Sequence, residues 1–570
     1  MVSYKKVLMY RLSIIFIFVL SFVFLIWRAK YGFCFNDEPF LISLAQRLYN
    51  GDALIAEEWH GVQNFGAIVL PFYSIFISLF KSTECILLTF RYIYCILWFS
   101  VCMTVYLTLA KKYKSAIFVF LYLVLFSPHD YMTLSYNTFG IMALLLICCI
   151  VYSTPDSYKS HSYLSAVTFS MLWIISVLCT PYMAVAYIIS VAFFCSKYFF
   201  HKCSKKSYFY DNVFFYIKTS VIVIPVIAIL YLYMFVFSRT ELQKVIESIP
   251  FIFADPEHPS INIVTTIINL INSLNKRVKC FLALSAAISL ASFAKVKLYK
   301  VRIYLFCLLG TLFVFCQYPY ITTPFVYDFN YNMLYINIAG IAVYSLLENK
   351  DIRLFSTFYV YGFIYSLLLS LTSNTGLMAT SLAITVAGVC SMISVCLLLN
   401  ELYHQYRTIR LVRLIPVLIG TIIISVQLGS EIATRFCRTF YEVELSNLNT
   451  QITCGAAKGL YTTEKRAYNY EQTYLNLRYL LSQTDTTEKT FLSCTSAPYI
   501  YLDANLDYGT FSAWSFGYGD DLNDRVMDYI SVNNHYPDII FCFNGNDILD
   551  ITQQGYSSLE YNGSYLFIKN

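Results

Sequence analysis

Asp37 and Glu38 stand side by side just after an apolar run, Leu12 to Trp27, in "FCFNDEPFLISLAQRLYNGDALIAEEWHGVQ", residues 33–63. Asp52, Glu57, Glu58, His60 and Gln63 follow within the same stretch. A carboxylate held where a chain leaves an apolar layer can take a proton from a hydroxyl. An imidazole, an indole and an amide close by can hold the rest of a polar molecule. An acid ahead of Pro39 also fits the first turn of a helix, so solvated capping carboxylates are the bland alternative. "FLISLAQRL" reads as amphipathic and is expected to lie along a membrane interface. Together the cluster fits a substrate with one sugar end and one lipid end.

The elements that must position these residues follow from composition. Only 13% of the 570 residues are charged and 58% are hydrophobic, with a mean hydropathy of +0.59, against roughly 25% charged in a water-soluble domain. The fold class implied is an all-α polytopic membrane bundle. Thirteen spans are read near 12–28, 85–109, 115–127, 138–153, 163–179, 182–199, 212–237, 279–294, 303–317, 331–347, 354–372, 376–399 and 414–430. Lys5, Lys6 and Arg11 precede the first, but no small-residue cleavage site follows Trp27, so it is read as retained. Segments 65–80 and 262–275 are expected to be interfacial helices instead.

Basic residues set the orientation. Lys111, Lys112 and Lys114 share one turn, Lys197, Lys202, Lys205 and Lys206 another, and Lys295, Lys297, Lys300 and Arg302 a third. Lys350 with Arg353, then Arg407, Arg410 and Arg413, complete the set, and the alternate turns lack Lys and Arg near their centres. The reading places the N-terminus in the cytoplasm and the first loop, 29–84, outside. Residues 1–430 form the transmembrane domain, and 431–570 form an extracytoplasmic domain. The latter carries nine Lys and Arg against seventeen Asp and Glu. Strands are expected at 490–494, 499–503, 538–543 and 565–570, with helices at 468–482 and 521–533, giving a small α/β domain. Its cysteines, Cys437, Cys454, Cys494 and Cys542, are free to pair outside the cell, but spacing selects no pair. No GxGxxG or P-loop occurs, and nothing points to nucleic acid.

The exterior "DE" after a first span, the helix behind it and "GDALIAEEWHGVQNFGAIVLPFYSIF" resemble the C superfamily of integral membrane glycosyltransferases. That group includes the protein mannosyltransferases and the bacterial lipid A aminoarabinose transferases. The resemblance implies a glycosyltransferase at the outer face of the cytoplasmic membrane. Its donor would be a sugar on polyprenyl phosphate. Its acceptor would be a hydroxyl of a lipid-linked glycan, a glycan or a protein. It implies Asp37 as general base, with Glu38 beside it and Asp130 of the second exterior loop, "SPHDYMTLSYN", as a further acid. His129, Tyr136 and Asn137 of that loop, with Glu58, His60 and Gln63 of the first, are candidates for the sugar. Phosphate calls for cations, and outward-facing ones are scarce. Arg239 and Lys244, Lys276, Arg277 and Lys279 are the candidates, the last three also reading as snorkelling anchors. Arg91, inside the second span, is expected to pair with Asp37, Asp130 or a donor phosphate. The Lys-Pro-Pro run of some relatives is missing. Asp328 is a minor candidate. Neither a cofactor nor a metal is expected, since the first loop has no DxD, though Asp37, Glu38 and Asp130 are ligands of the right type.

The alternatives are a transporter or flippase of lipid-linked glycans, and a ligase or polymerase. A transporter places ionisable groups near the bilayer midplane in repeated, broken helices, and no repeat is visible. A ligase is expected to carry a large basic loop late among the spans.

Overall fold

A computed structural model describes residues 2–127, 132–155, 162–202, 208–254, 263–293, 301–322, 329–372, 377–405, 410–437, 442–515, 521–543, 549–553 and 555–570. His129, Asp130 and Asp328 lie outside the described residues.

Each of the thirteen apolar runs is helical. Helix α1 spans Val2–Arg28, α2 Asp37–Asn50, α3 Phe65–Phe80, α4 Ile86–Ala110, α5 Ala116–Leu125, α6 Tyr136–Ser153 and α7 Tyr163–Cys179. Then come α8 Met183–Lys202, α9 Tyr208–Leu232, α10 Leu242–Phe253, α11 Ile263–Ser273, α12 Lys276–Phe293, α13 Arg302–Thr322 and α14 Phe329–Leu346. Helix α15, Ile352–Leu354, runs through a π turn into α16, Val360–Thr372, followed by α17 Leu377–Ala383, α18 Thr385–Gln405 and α19 Arg410–Cys437. Among the described residues nine helices are long and apolar enough to cross a membrane, so the chain is an integral membrane protein. Four of the thirteen runs drop out, two by length and two by polarity: α5 has 10 residues, roughly 15 Å of rise against an apolar layer of about 30 Å, while α12 opens with Lys276, Arg277 and Lys279 and α14 carries Asn332 and Asn337. Helix α14 packs on α18 through Gly340, where an added Cβ would fall onto Ser391.

Helix α2 departs from expectation. Everything from Glu38 to Leu48 is buried, whereas an interfacial helix would keep an open face. On one side it meets α3 so closely that a Cβ on Gly66 would lie 2.8 Å from the Leu44 carbonyl oxygen. On the other it is covered by the C-terminal domain: Tyr508 donates to Gln46 Oε1 at 2.8 Å, and Gln46 Nε2 donates to Asn505 at 3.1 Å. The exposed apolar side chains Val264, Ile268 and Ile271 of α11 fit an interfacial helix, and α10 carries a similar row in Leu242, Ile246 and Phe253.

Past α19 the chain forms an α/β domain. Its elements are β1 (Thr450–Gln451), β2 (Tyr461–Thr462), α20 (Glu464–Leu481), β3 (Thr490–Ser493), α21 (Tyr499–Ala504), β4 (Asp507–Tyr508), α22 (Leu522–Asn533), β5 (Ile539–Phe543), β6 (Tyr556–Tyr561) and β7 (Ser564–Lys569). The five-stranded sheet has the order β4-β3-β5-β7-β6. Strand β3 is parallel to β4 and β5, with Leu492 opposite Ile540, and the β6–β7 hairpin is antiparallel. Residues 499–503, expected as a strand, are the helix α21. Pro498, at φ −56° and ψ −24°, starts it, and the left-handed Asn505 ends it. A disulfide joins Cys494 to Cys542 across the neighbouring strands, while Cys454 is outside any disulfide.

The domain is stitched to the first loop by main-chain bonds. Gly32 N donates to Tyr461 O and Tyr461 N to Lys30 O, both at 2.8 Å. Cys85 N donates to Gly455 O at 3.0 Å, and Trp59 N to Phe511 O at 2.9 Å.

Candidate active site

The end of α1 and the start of α2 are tied by one guanidinium. Arg91 of α4 donates from Nε to Glu38 Oε1 at 2.7 Å and from Nη2 to Oε2 at 2.6 Å. Its Nη1 donates to the carbonyls of Ala29 at 3.0 Å and Tyr31 at 3.3 Å. Both side chains are buried. The expected partners of Arg91 were Asp37, Asp130 or a phosphate; the partner is Glu38. A buried arginine needs several acceptors at fixed angles, and a carboxylate with two carbonyls supplies them. Glu38 is accordingly committed to a structural pair.

Asp37, its neighbour, keeps part of its surface accessible. Cys34 Sγ lies 3.6 Å from Asp37 Oδ2 and donates to it. Burial, with the carboxylates of Asp37 and Glu38 beside it, pushes the Cys34 thiol well up, so it stays a neutral donor.

The rest of the loop is organised by a second arginine. Arg47, buried on α2, donates to Asp52 Oδ2 at 2.6 Å and Glu58 Oε2 at 3.1 Å, and also to the Glu57 carbonyl. Glu58 Oε1 in turn accepts from His60 N at 3.0 Å. Burial pushes the Glu58 carboxyl up, and Arg47 works against that shift. Gln63 Oε1 accepts from Ile55 N at 2.6 Å. Glu58 and Gln63, proposed from sequence as substrate ligands, therefore hold the loop in shape.

What they shape is an aromatic wall one turn along α2 from Asp37. The His60 ring stands edge-on to Phe40, centroids 4.7 Å apart, and Trp514 lies 5.2 Å from Phe40 and 6.2 Å from His60. His60 Nδ1 accepts from Val62 N at 3.2 Å, which leaves the proton of the neutral ring on Nε2. Trp514 comes from the C-terminal domain, and nothing in the spacing of the sequence ties it to Asp37. The one local sign is its place in an aromatic, glycine-containing run, "FSAWSFGYGD".

Other candidates fall elsewhere. Tyr136 and Asn137 open α6 behind a Ser135–Thr138 capping box, with Asn137 buried. Arg239 donates to the carbonyls of Leu48 at 2.9 Å and Asp52 at 2.8 Å, fastening the end of α9 to the first loop. Lys244 is half-buried on α10 and Lys276 exposed at the start of α12. Arg277 and Lys279 are exposed on α12, with Arg277 over Phe315. No hydrogen bond or ion pair joins either to α2 or its loop among the described residues. No cluster of three His, Cys, Asp or Glu side chains that could hold a metal occurs among the described residues.

A polar ladder inside the bundle escaped the sequence reading. Gln427 and Glu431 of α19 are fully buried, and Gln427 Nε2 donates to Glu431 Oε1 at 2.7 Å. Gln317 of α13 donates to Gln427 Oε1 at 3.1 Å and to the Asn332 carbonyl at 3.2 Å. Arg435, one turn further and also buried, accepts a bond from Arg28 at its carbonyl, 2.8 Å. The signal was present as Gln-x-x-x-Glu-x-x-x-Arg, polar residues one turn apart on one face. Placing the end of the span at residue 430 split it, whereas α19 continues to Cys437.

The structure is similar to a crystal structure of ArnT from Cupriavidus metallidurans in the apo state, with a TM-score of 0.46 and 10% identity over 100% of this chain and 98% of that one. It is also similar to the same organism's ArnT bound to undecaprenyl phosphate, with a TM-score of 0.46 and 10% identity over 98% and 97% of the two chains. No family model matches the chain, and no curated protein does.

Proposed function

We propose that the chain is a membrane glycosyltransferase that moves a sugar from a polyprenyl-phosphate carrier to an acceptor hydroxyl of the cell envelope, with Asp37 as general base. The observation that carries the reading is the placement of Asp37. It opens α2 just past the end of α1 and is partly accessible, one turn before Phe40 of the wall that Phe40 forms with His60 and Trp514. Its neighbour Glu38 is held by Arg91. The resemblance of the first loop to the C superfamily points the same way.

In this scheme the Asp37 carboxylate takes the proton of the acceptor hydroxyl as its oxygen bonds to the anomeric carbon. The bond from that carbon to the carrier phosphate breaks, and the electron pair leaves on the phosphate. Attack from the face opposite the carrier inverts the anomeric centre. A phosphate leaves as an anion, so no second carboxylic acid is required, in contrast to paired-carboxylate hydrolysis. The Cys34 thiol steadies one oxygen of the base. The aromatic wall offers flat faces to a sugar ring, and His60 Nε2–H a donor. The orientation goes with it: N-terminus in the cytoplasm, C-terminal domain outside, in the plasma membrane.

The test is transfer by the purified chain from a panel of polyprenyl-phosphate sugars to envelope extracts, followed by mass spectrometry. Asp37→Asn should lower transfer roughly 10²–10⁴-fold with an unchanged unfolding temperature; near-normal transfer removes the base. A transporter is the second reading, favoured by one observation: Glu431 and Arg435 are ionisable and buried within the bundle. Sugar transfer in detergent, where no sealed compartment exists, excludes it.

A further inference from the structure

At the end of α4 remote from the C-terminal domain lies a cavity of about 340 Å³ lined by Thr108, Lys111, Lys112, Tyr152, Ser153, Asp351 and Arg353. Helix α4 has 25 residues, so this cavity sits roughly 37 Å from Cys85 and the candidate active site. We propose that it binds the phosphodiester headgroup of an anionic phospholipid.

Charge is the first argument. Three cations, Lys111, Lys112 and Arg353, face one carboxylate, Asp351. That carboxylate is spent on the protein itself. Asp351 accepts from Lys112 Nζ at 2.5 Å, from the hydroxyls of Tyr113 and Tyr152, and from Leu354 N at 3.0 Å. It thereby fixes the wall of the cavity, whose lining carries three cations to this one carboxylate. Lys111 is exposed and makes no ion pair among the described residues. Arg353 is anchored through Thr154 O at 3.0 Å and lies over the Phe209 ring, 4.1 Å to its centroid. Beside these cations, Thr108 and Ser153 add hydroxyls to the lining, a set suited to phosphate oxygens.

Position is the second. The cavity opens where α4 and α6 end and α15 begins, at the headgroup level of a membrane-spanning bundle. Next in the chain to the lining residues Thr108, Asp351 and Arg353 stand exposed apolar side chains: Leu107 is 56% exposed and Ile352 72%. A cationic recess beside exposed aliphatic surface matches a phosphate that carries acyl chains.

Native mass spectrometry of the full chain, released from bilayers of equal phosphatidylglycerol and phosphatidylcholine, tests this without reference to sugar transfer. The wild type should retain phosphatidylglycerol in preference. Lys111→Gln should weaken retention roughly five-fold, the equivalent of one surface cation, at an unchanged unfolding temperature. Lys114→Gln, the same charge change outside the cavity, should leave it intact. Three results overturn the proposal: no preference in the wild type, equal loss in both variants, or complete displacement by millimolar inorganic phosphate, which would mark a site for the free ion.

Discussion

Arg91 and Glu38, 53 residues apart in the chain, face each other through two parallel hydrogen bonds of 2.7 and 2.6 Å. The pair locks the first turn of α2 against α4 and so fixes where the Asp37 backbone can be. Arg91→Met should cost about 3–5 kcal/mol, because it strands a buried carboxylate. The double variant Arg91→Met/Glu38→Gln should recover much of that loss. Thermal unfolding of the detergent-solubilised chain measures both; equal losses in single and double variants would show that the pair is not coupled.

Trp514 brings the C-terminal domain into the candidate active site. Under the proposed function, Trp514→Ala should raise KM for the lipid-linked sugar about three- to ten-fold, with a smaller change in kcat, since aromatic contacts of this kind are worth about 0.5–1.5 kcal/mol. Trp514→Phe should retain most of the affinity. Steady-state kinetics with the same donor for all three proteins decides it.

Asp503 gives the C-terminal domain a pH dependence. Its carboxyl is buried, and Oδ1 accepts from Ala456 N at 2.7 Å and from the Tyr470 hydroxyl at 3.1 Å, while Oδ2 has no partner. Desolvation pushes it up to about 7, against the hydrogen bonds from Ala456 and Tyr470. The folded chain therefore holds a proton that the unfolded chain releases near pH 4. Stability should fall as pH rises from about 4 to 7, by roughly 2–4 kcal/mol, and level off above that. Asp503→Asn should flatten this portion of the profile. Unfolding followed between pH 4 and 8 shows whether the slope goes with the carboxyl.

Cys494 and Cys542, 48 residues apart, should be recovered as one cross-linked peptide pair after digestion without reductant. Cys454 should take up alkylating agent once the chain is unfolded. Closing a loop of that length contributes about 4 kcal/mol in the chain-entropy account, so reductant should lower the unfolding temperature of the C-terminal domain. Unchanged unfolding under reductant would argue that the bond adds no stability.

Local pattern carried much of the architecture. Apolar runs foretold the helices, and short β-rich runs foretold β3, β5 and β7. Asp37 stands out in the sequence because an acid soon after a span is a local feature; its role as base is the proposal made above. Local pattern missed what depends on distant partners. Arg91 was expected beside Asp37, Asp130 or a donor phosphate, and only the fold brings Glu38 to it instead. Glu58 and Gln63 looked like ligands because their types allow it; Arg47 and a main-chain N–H claim them in the fold. Residues 499–503 carry β-forming side chains, yet Pro498 and the packing of α21 on α2 override that preference. Trp514 lies 477 positions from Asp37, beyond the reach of any periodicity.

The pairing of Lys30 and Gly32 with Tyr461 has a temporal side. Ribosomes add roughly 5–20 residues per second. The segment holding Asp37 therefore emerges on the order of 20–90 seconds before the strand that clamps it. During that interval Gln46 and Arg47 wait without the tyrosine that later covers them. A nascent chain halted anywhere before residue 461 would carry its first loop without that clamp.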